Sequence, residues 1–106
     1  MKFVVLAPTA EVEIADTAIA YERTRPGLGR AFIDEVRAVS RNVARAPEAG
    51  MEACGGIRCA ATLSFPYRVI FRERSSRIEV LAVLPTQAEA ERLLVRLATR
   101  TLAVSK

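Results

Sequence analysis

Arginine carries most of the chemistry this chain offers. Of sixteen basic residues only Lys2 and Lys106 are lysine, leaving fourteen arginines. A guanidinium presents a planar donor fork that suits carboxylate or phosphate, and it stays charged at any accessible pH. Twelve acidic residues leave a net charge of +4, a balance compatible with nucleic acid or with an acidic protein partner. Histidine is absent, which removes the commonest general acid–base group and the commonest metal ligand. Any catalysis would fall to arginine, tyrosine, serine or carboxylates. Cys54 and Cys59 read as reduced, buried or half-buried thiols, because cytoplasmic proteins seldom hold disulfides. Two cysteines without histidine do not suggest a zinc site. No cofactor and no metal site are expected.

The arginines fall into two groups with different frames. Arg58, Arg68 and Arg72 lie in strand-like sequence. Residues 56–63 (GIRCAATL), 67–73 (YRVIFRE) and 78–84 (IEVLAVL) are dense in β-branched and aromatic side chains, and the short connections between them imply an antiparallel meander. If Ser75–Ser76 is a two-residue turn, Arg74 faces Arg77 and Arg72 faces Glu79. Alternation along a strand then turns Tyr67, Val69 and Phe71 one way, with Ile78, Val80 and Ala82. Arg68, Ile70 and Arg72 turn the other way, with Glu79 and Leu81, and Arg58 lies beside them if the first connection keeps parity. These three arginines make a candidate patch for a target. The plainer reading of Arg72 and Glu79 is an ordinary cross-strand ion pair.

Arg37 and Arg41 belong to helical sequence. Over about 26–46, opened by Pro26, Leu28, Phe32, Val36, Val39 and Val43 form an apolar stripe, and Arg30, Asp34, Arg37, Arg41 and Arg45 form the opposite one. Pro47 and Gly50 end this helix. An earlier helix, about 9–23, is capped by Thr9 and carries Val12, Ala15, Ala18 and Ile19 with Ile14 to one side. It follows a short buried strand, 2–7, closed by Pro8. A last helix, about 87–101, opens with Thr86-Gln87-Ala88-Glu89 in capping-box spacing, and it carries Leu93, Leu94 and Leu97 on one side. The expected architecture is a single α+β domain over 1–106, of order β-α-α-β-β-β-α. A small, mainly antiparallel sheet packs against an N-terminal helical hairpin. No apolar run approaches a membrane span and no secretory signal is evident, so a cytoplasmic protein is expected.

That order, with these residues at these places, resembles the ParE/RelE toxin superfamily over nearly the whole chain. The likeness rests on the opening strand followed by Pro8 and the acidic EVEIADTAIAYE, and on the RPGLGRAFIDEVRAVSRNVARAPEAG helix with its Pro47–Gly50 ending. It is strongest at Gly56–Arg58 and at Phe65-Pro66-Tyr67-Arg68-Val69. The resemblance implies the toxin of a bacterial type II toxin–antitoxin system, held in a hetero-oligomer with a cognate antitoxin that neutralises it. ParE-like members poison DNA gyrase; RelE-like members are ribosome-dependent mRNA endonucleases.

For RNA cleavage by a 2′-hydroxyl a base, an acid and charge stabilisation are needed. RelE-like enzymes resemble one another in a Lys/Arg cluster on the middle strands and an Arg and Tyr near the C-terminus. Arg68 matches the Arg of that family's Tyr-Arg pair. Cys59 and Ala61 stand near the places of the lysines, no tyrosine follows Tyr67, and Leu84-Pro85-Thr86-Gln87 is not basic. The chain therefore reads as closer to ParE, with no catalytic residue assigned. It also lacks the His- or Arg-rich turn that many members carry after the last strand, so a silent family member stays open. Target contact is assigned to Arg58, Arg68 and Arg72. Antitoxin contact is assigned to Arg37, Arg41, Leu93 and Leu97, whose plainer readings are a solvated helix face and core leucines.

Overall fold

The computed structural model describes residues 2–85. The helix expected over 87–101, with Leu93 and Leu97, lies outside them. The element order is β1 (Phe3–Leu6), α1 (Pro8–Thr24), α2 (Leu28–Arg45), a 3-10 turn (Pro47–Ala49), β2 (Met51–Cys54), β3 (Ile57–Ala61), β4 (Tyr67–Arg74) and β5 (Arg77–Pro85). The strands form one sheet in the order β1-β5-β4-β3-β2. β1 runs parallel to β5 and the other pairings are antiparallel. The α+β architecture with an N-terminal helical hairpin on a mainly antiparallel sheet is as expected. β2 was not expected: it is four residues long, interrupted by a bulge, and lacks a clear alternating pattern. Its signal was the Gly55–Gly56 pair, both at positive φ (+52° and +81°), which is the backbone of a two-residue hairpin turn.

The helical hairpin is closed by close contact and by charge. Gly29 on α2 meets α1 so tightly that an added Cβ would lie 2.4 Å from the Ala18 carbonyl oxygen. The Glu22 carboxylate accepts the N–H groups of Gly27 and Gly29 at 3.0–3.1 Å, placing a negative charge on the unsatisfied amides at the start of α2. That start is Leu28, with Gly27 at φ +89° before it, so Pro26 belongs to the turn rather than to the helix. α1 likewise begins at Pro8 with no side-chain cap, not at a Thr9 cap.

The helices cover one face of the sheet. Phe32, Val36 and Val39 of α2 join Ala10 and Ala18 of α1 against Val69, Val80 and Val83. Val43 and Ala44 continue the contact onto Phe71 and Ile78. The α2 stripe is thus the expected one, apart from the half-buried Leu28. The buried face of α1 differs in part from expectation: Ala18 is buried as expected, but Val12 and Ile19 are more than half exposed and small Ala10 takes a core position. A tight helix-to-helix approach selects small residues, which an apolar stripe alone does not predict.

One bulge rephases the sheet. Ile70 pairs with Ala82 but Phe71 pairs with Val80, leaving Leu81 as the extra residue. Alternation shifts by one beyond a bulge. Ala82 therefore leaves the hairpin side, where it was expected beside Val80, and joins Ile57, Cys59, Ile70 and Leu84 on the opposite face. Val83 takes the hairpin side with Val69. Its N–H lies beyond the last β1–β5 register pair, Leu6 with Val80, and donates to Glu13 of α1 at 3.0 Å.

Candidate functional site

The expected strand register holds at the turn. Arg74 stands opposite Arg77 and Arg72 opposite Glu79. Residues two apart on a strand share a face, so Arg68, Arg72 and Arg74 of β4 and Arg77 and Glu79 of β5 all lie on the face away from the helices. Glu79 is the hub. Its carboxylate accepts from Arg72 Nε at 2.6 Å and Arg77 Nη2 at 3.3 Å, and Arg74 Nε lies 3.7 Å away. The Arg72 hydrogen bond holds the Glu79 pKa below the ordinary value of 4.5 against the opposing effect of burial, with the charges of all three arginines adding to it. Three guanidinium groups against one carboxylate leave local positive charge and unused N–H donors.

Arg68 donates to the sulfur of Cys59 at 3.4 Å. Cys59 is a buried free thiol beside Ile70 and Leu84. Arg58 does not join this group. It pairs with Phe71, which packs under the helices, and its Nη1 donates to the Gly50 carbonyl at 3.1 Å. Arg58 lies on the hairpin side of the sheet, and its expected place beside Arg68 and Arg72 is corrected. The first connection keeps parity with Phe71, not with Ile70.

Arg37 and Arg41 are exposed, as expected for their stripe. Together with Val4 and Leu6 of β1, Ile14 of α1, and Ile33, Val36 and Ser40 of α2 they line a groove of about 350 Å³. Further along the stripe Arg30 pairs with Asp34 at 3.1 Å. Neither Arg37 nor Arg41 has an ion-pair partner among the described residues. The groove was hidden in the sequence because it joins residues 4 and 6 to residues 33–41; its one local signal is the basic edge of the α2 stripe.

Two further features fix the sheet to α2. Glu35 accepts the backbone N–H groups of Ser64 and Phe65 in the β3–β4 connection. Burial tends to raise its pKa, and the hydrogen bonds from Ser64, Phe65 and Leu63 outweigh that and leave it lowered. Tyr21, Phe32, Phe65 and Tyr67 form a ring cluster with centroids 4.9–6.2 Å apart, in mainly edge-on geometry that suits aromatic quadrupoles. Burial, then the neighbouring Tyr67, raises the Tyr21 pKa. That shift is away from the range of a general base near neutrality.

Fold and site together define a class: a small α+β domain with a helical hairpin on one face of a five-stranded mixed sheet and an arginine cluster at one end of the other. No family model matches the chain and no curated protein matches it. Among solved structures it is similar to a chain of the chromosomal ParDE TA (toxin–antitoxin) system from P. aeruginosa. The TM-score is 0.71 at 13% sequence identity, over 82% of this chain and 98% of that one. The likeness is therefore one of fold, and it agrees with the resemblance read from the sequence.

Proposed function

We propose that this protein is the toxin of a toxin–antitoxin pair, acting in the cytoplasm by ParE-like inhibition of DNA gyrase and silenced by a cognate antitoxin. The observation that carries the reading is the fold shared with nearly the full length of a ParDE-system chain. In this reading Arg68 and Arg72, on the open sheet face, contact the target, and Arg37 and Arg41 at the groove contact the antitoxin. Arg58 stays a target contact only if the target reaches the β2–β3 side of the sheet.

Gyrase inhibition is preferred to RelE-like cleavage on the surroundings of Arg68. Its described neighbours on that face are Cys59, Ala61, Ile70 and Leu84, none of them the lysine or tyrosine of the RelE-like set, while in-line RNA cleavage needs a base, an acid and charge stabilisation. The test is induced expression in a bacterial host. Filamentation with a DNA-damage response is expected. Rapid translation arrest with cleaved transcripts would replace the gyrase target by the ribosome, and unaltered growth would overturn the toxin reading in favour of a silent member of the fold.

A further inference from the structure

At the β4–β5 turn the sheet face away from the helices sets an aromatic ring beside cations. Phe3 is in register with Arg77, and Arg77 stands opposite Arg74, so the three form one row across β1, β5 and β4. Val5, Glu79 and Arg72 form the next row on the same face. Phe3 is 76% exposed, and the side chains of Arg74 and Arg77 are about half exposed. Neighbouring strands lie about 4.8 Å apart, so the first row spans about 10 Å. That is a length comparable to one nucleotide with its two flanking phosphates.

A single exposed phenylalanine needs no explanation, but this one has charged neighbours on its own face. Three guanidinium groups share one carboxylate there, Glu79, which leaves an excess of two positive charges. Glu73 does not reduce it. Glu73 stands opposite Ile78, on the hairpin side of the sheet, and Lys2 binds it at 3.0 Å. The row therefore offers a flat apolar ring at one end and guanidinium donors at the other.

We propose that this row binds an unpaired stretch of nucleic acid, with one base stacked on Phe3 and the flanking phosphates held by Arg77 and Arg74. Stacking on an aromatic ring accepts any base, and arginine donors match phosphate oxygens. An acidic peptide would use the arginines and leave the ring without a role. A duplex keeps its bases stacked on one another and offers a base face only at its ends. The site is separate from Arg68, which lies six residues before Arg74 on β4, about 20 Å along the strand. The inference goes beyond the toxin reading and does not depend on it.

The chain has no tryptophan, so Phe3→Trp places the only indole at the site. The probes are the decamers dT10 and U10, a ten-residue abasic deoxyribose phosphate strand and a glutamate decapeptide. Saturable quenching of the indole by dT10 or U10 is expected, and the tighter of the two names the polymer. With fluorescein-labelled strands and the wild-type chain, the abasic strand is expected to bind about fivefold or more weakly, as is dT10 to Phe3→Ala. In Arg74→Ala/Arg77→Ala the dependence of log Kd on log salt is expected to flatten by about 1.4, at about 0.7 for each phosphate contact on a single strand. Should that variant fail to fold, the indole quenching decides. Absence of quenching by both decamers, equal binding of the abasic strand, or equal binding of the glutamate decapeptide would overturn the proposal. Toxicity on expression is read separately: a toxic chain that binds no strand sinks only this inference, and strand binding by a harmless chain sinks only the toxin reading.

Discussion

Arg72 and Glu79 face each other across β4 and β5 and share a 2.6 Å hydrogen bond, and two further arginines crowd the same carboxylate. The like-charged pair Arg74 and Arg77 is directly opposed at the turn, an arrangement that costs stability unless an anion stands between. Glu79 is that anion. Its folded pKa is depressed, so its contribution is fully present above the ordinary value of 4.5 and is lost as pH falls through the lower folded value. Glu79→Gln is expected to destabilise the fold at pH 7 by about 1.5–3 kcal/mol, the range for a hydrogen bond to a charged group. In urea unfolding the gap between variant and wild type should close as pH drops below 4.5. A pH-independent gap would show that side-chain shape, not charge, matters there.

Glu35 ties α2 to the β3–β4 connection through two backbone amides. Its replacement by alanine takes the acceptor from one exposed and one half-buried N–H, which water partly replaces, at about 0.5–1.5 kcal/mol. The loss should be local first. Hydrogen exchange at Ser64 and Phe65 is expected to accelerate while exchange in the middle of β4 keeps its wild-type rate relative to global unfolding.

The glycines of the α1–α2 turn fail for different reasons. At Gly29 an added Cβ collides with the Ala18 backbone, and relieving it means separating two packed helices. At Gly27 nothing lies within 4 Å, but φ is +89°, which strains any residue with a Cβ by about 1–2 kcal/mol. Gly29→Ala is therefore expected to lower the thermal midpoint more than Gly27→Ala, and Phe32→Ala, which empties the ring cluster and destabilises by about 3–5 kcal/mol, to lower it more than either.

How far these features can be read from sequence depends on their range. The α2 stripe from Phe32 to Val43 and the Arg72–Glu79 register were legible because a period and a turn length fix them locally. The place of Ala82 was not, since a bulge at Leu81 leaves no compositional trace in a run of IEVLAVLP and inverts every residue after it. Arg58 was misplaced for a related reason: its face depends on the pairing of β3 with β4, which the Thr62–Pro66 connection sets through the Thr62 hydroxyl's bonds to the carbonyls of Phe65 and Tyr67. Arg37 and Arg41 were found as a polar stripe, but the groove they help to line needs β1 beside α2. That contact joins residues roughly thirty to forty apart in sequence, including Lys2 N–H to the Ala44 carbonyl at 3.2 Å.

The two arginine groups face different surroundings, so their functions should separate. In Arg68→Ala/Arg72→Ala the open sheet face loses two cations, while Glu79 keeps Arg74 and Arg77 as partners. That variant is expected to fold, to lose growth inhibition by at least tenfold in the expression level required, and still to bind the antitoxin. Arg37→Glu/Arg41→Glu changes two exposed side chains on the far side of the molecule. It is expected to stay toxic and to escape neutralisation, because the substitutions reverse the charge at the groove. Growth measured with and without the co-expressed antitoxin distinguishes all four combinations. If both variants lost toxicity together, or both stayed neutralised, the assignment of the sheet face to the target and of the groove to the antitoxin would fall.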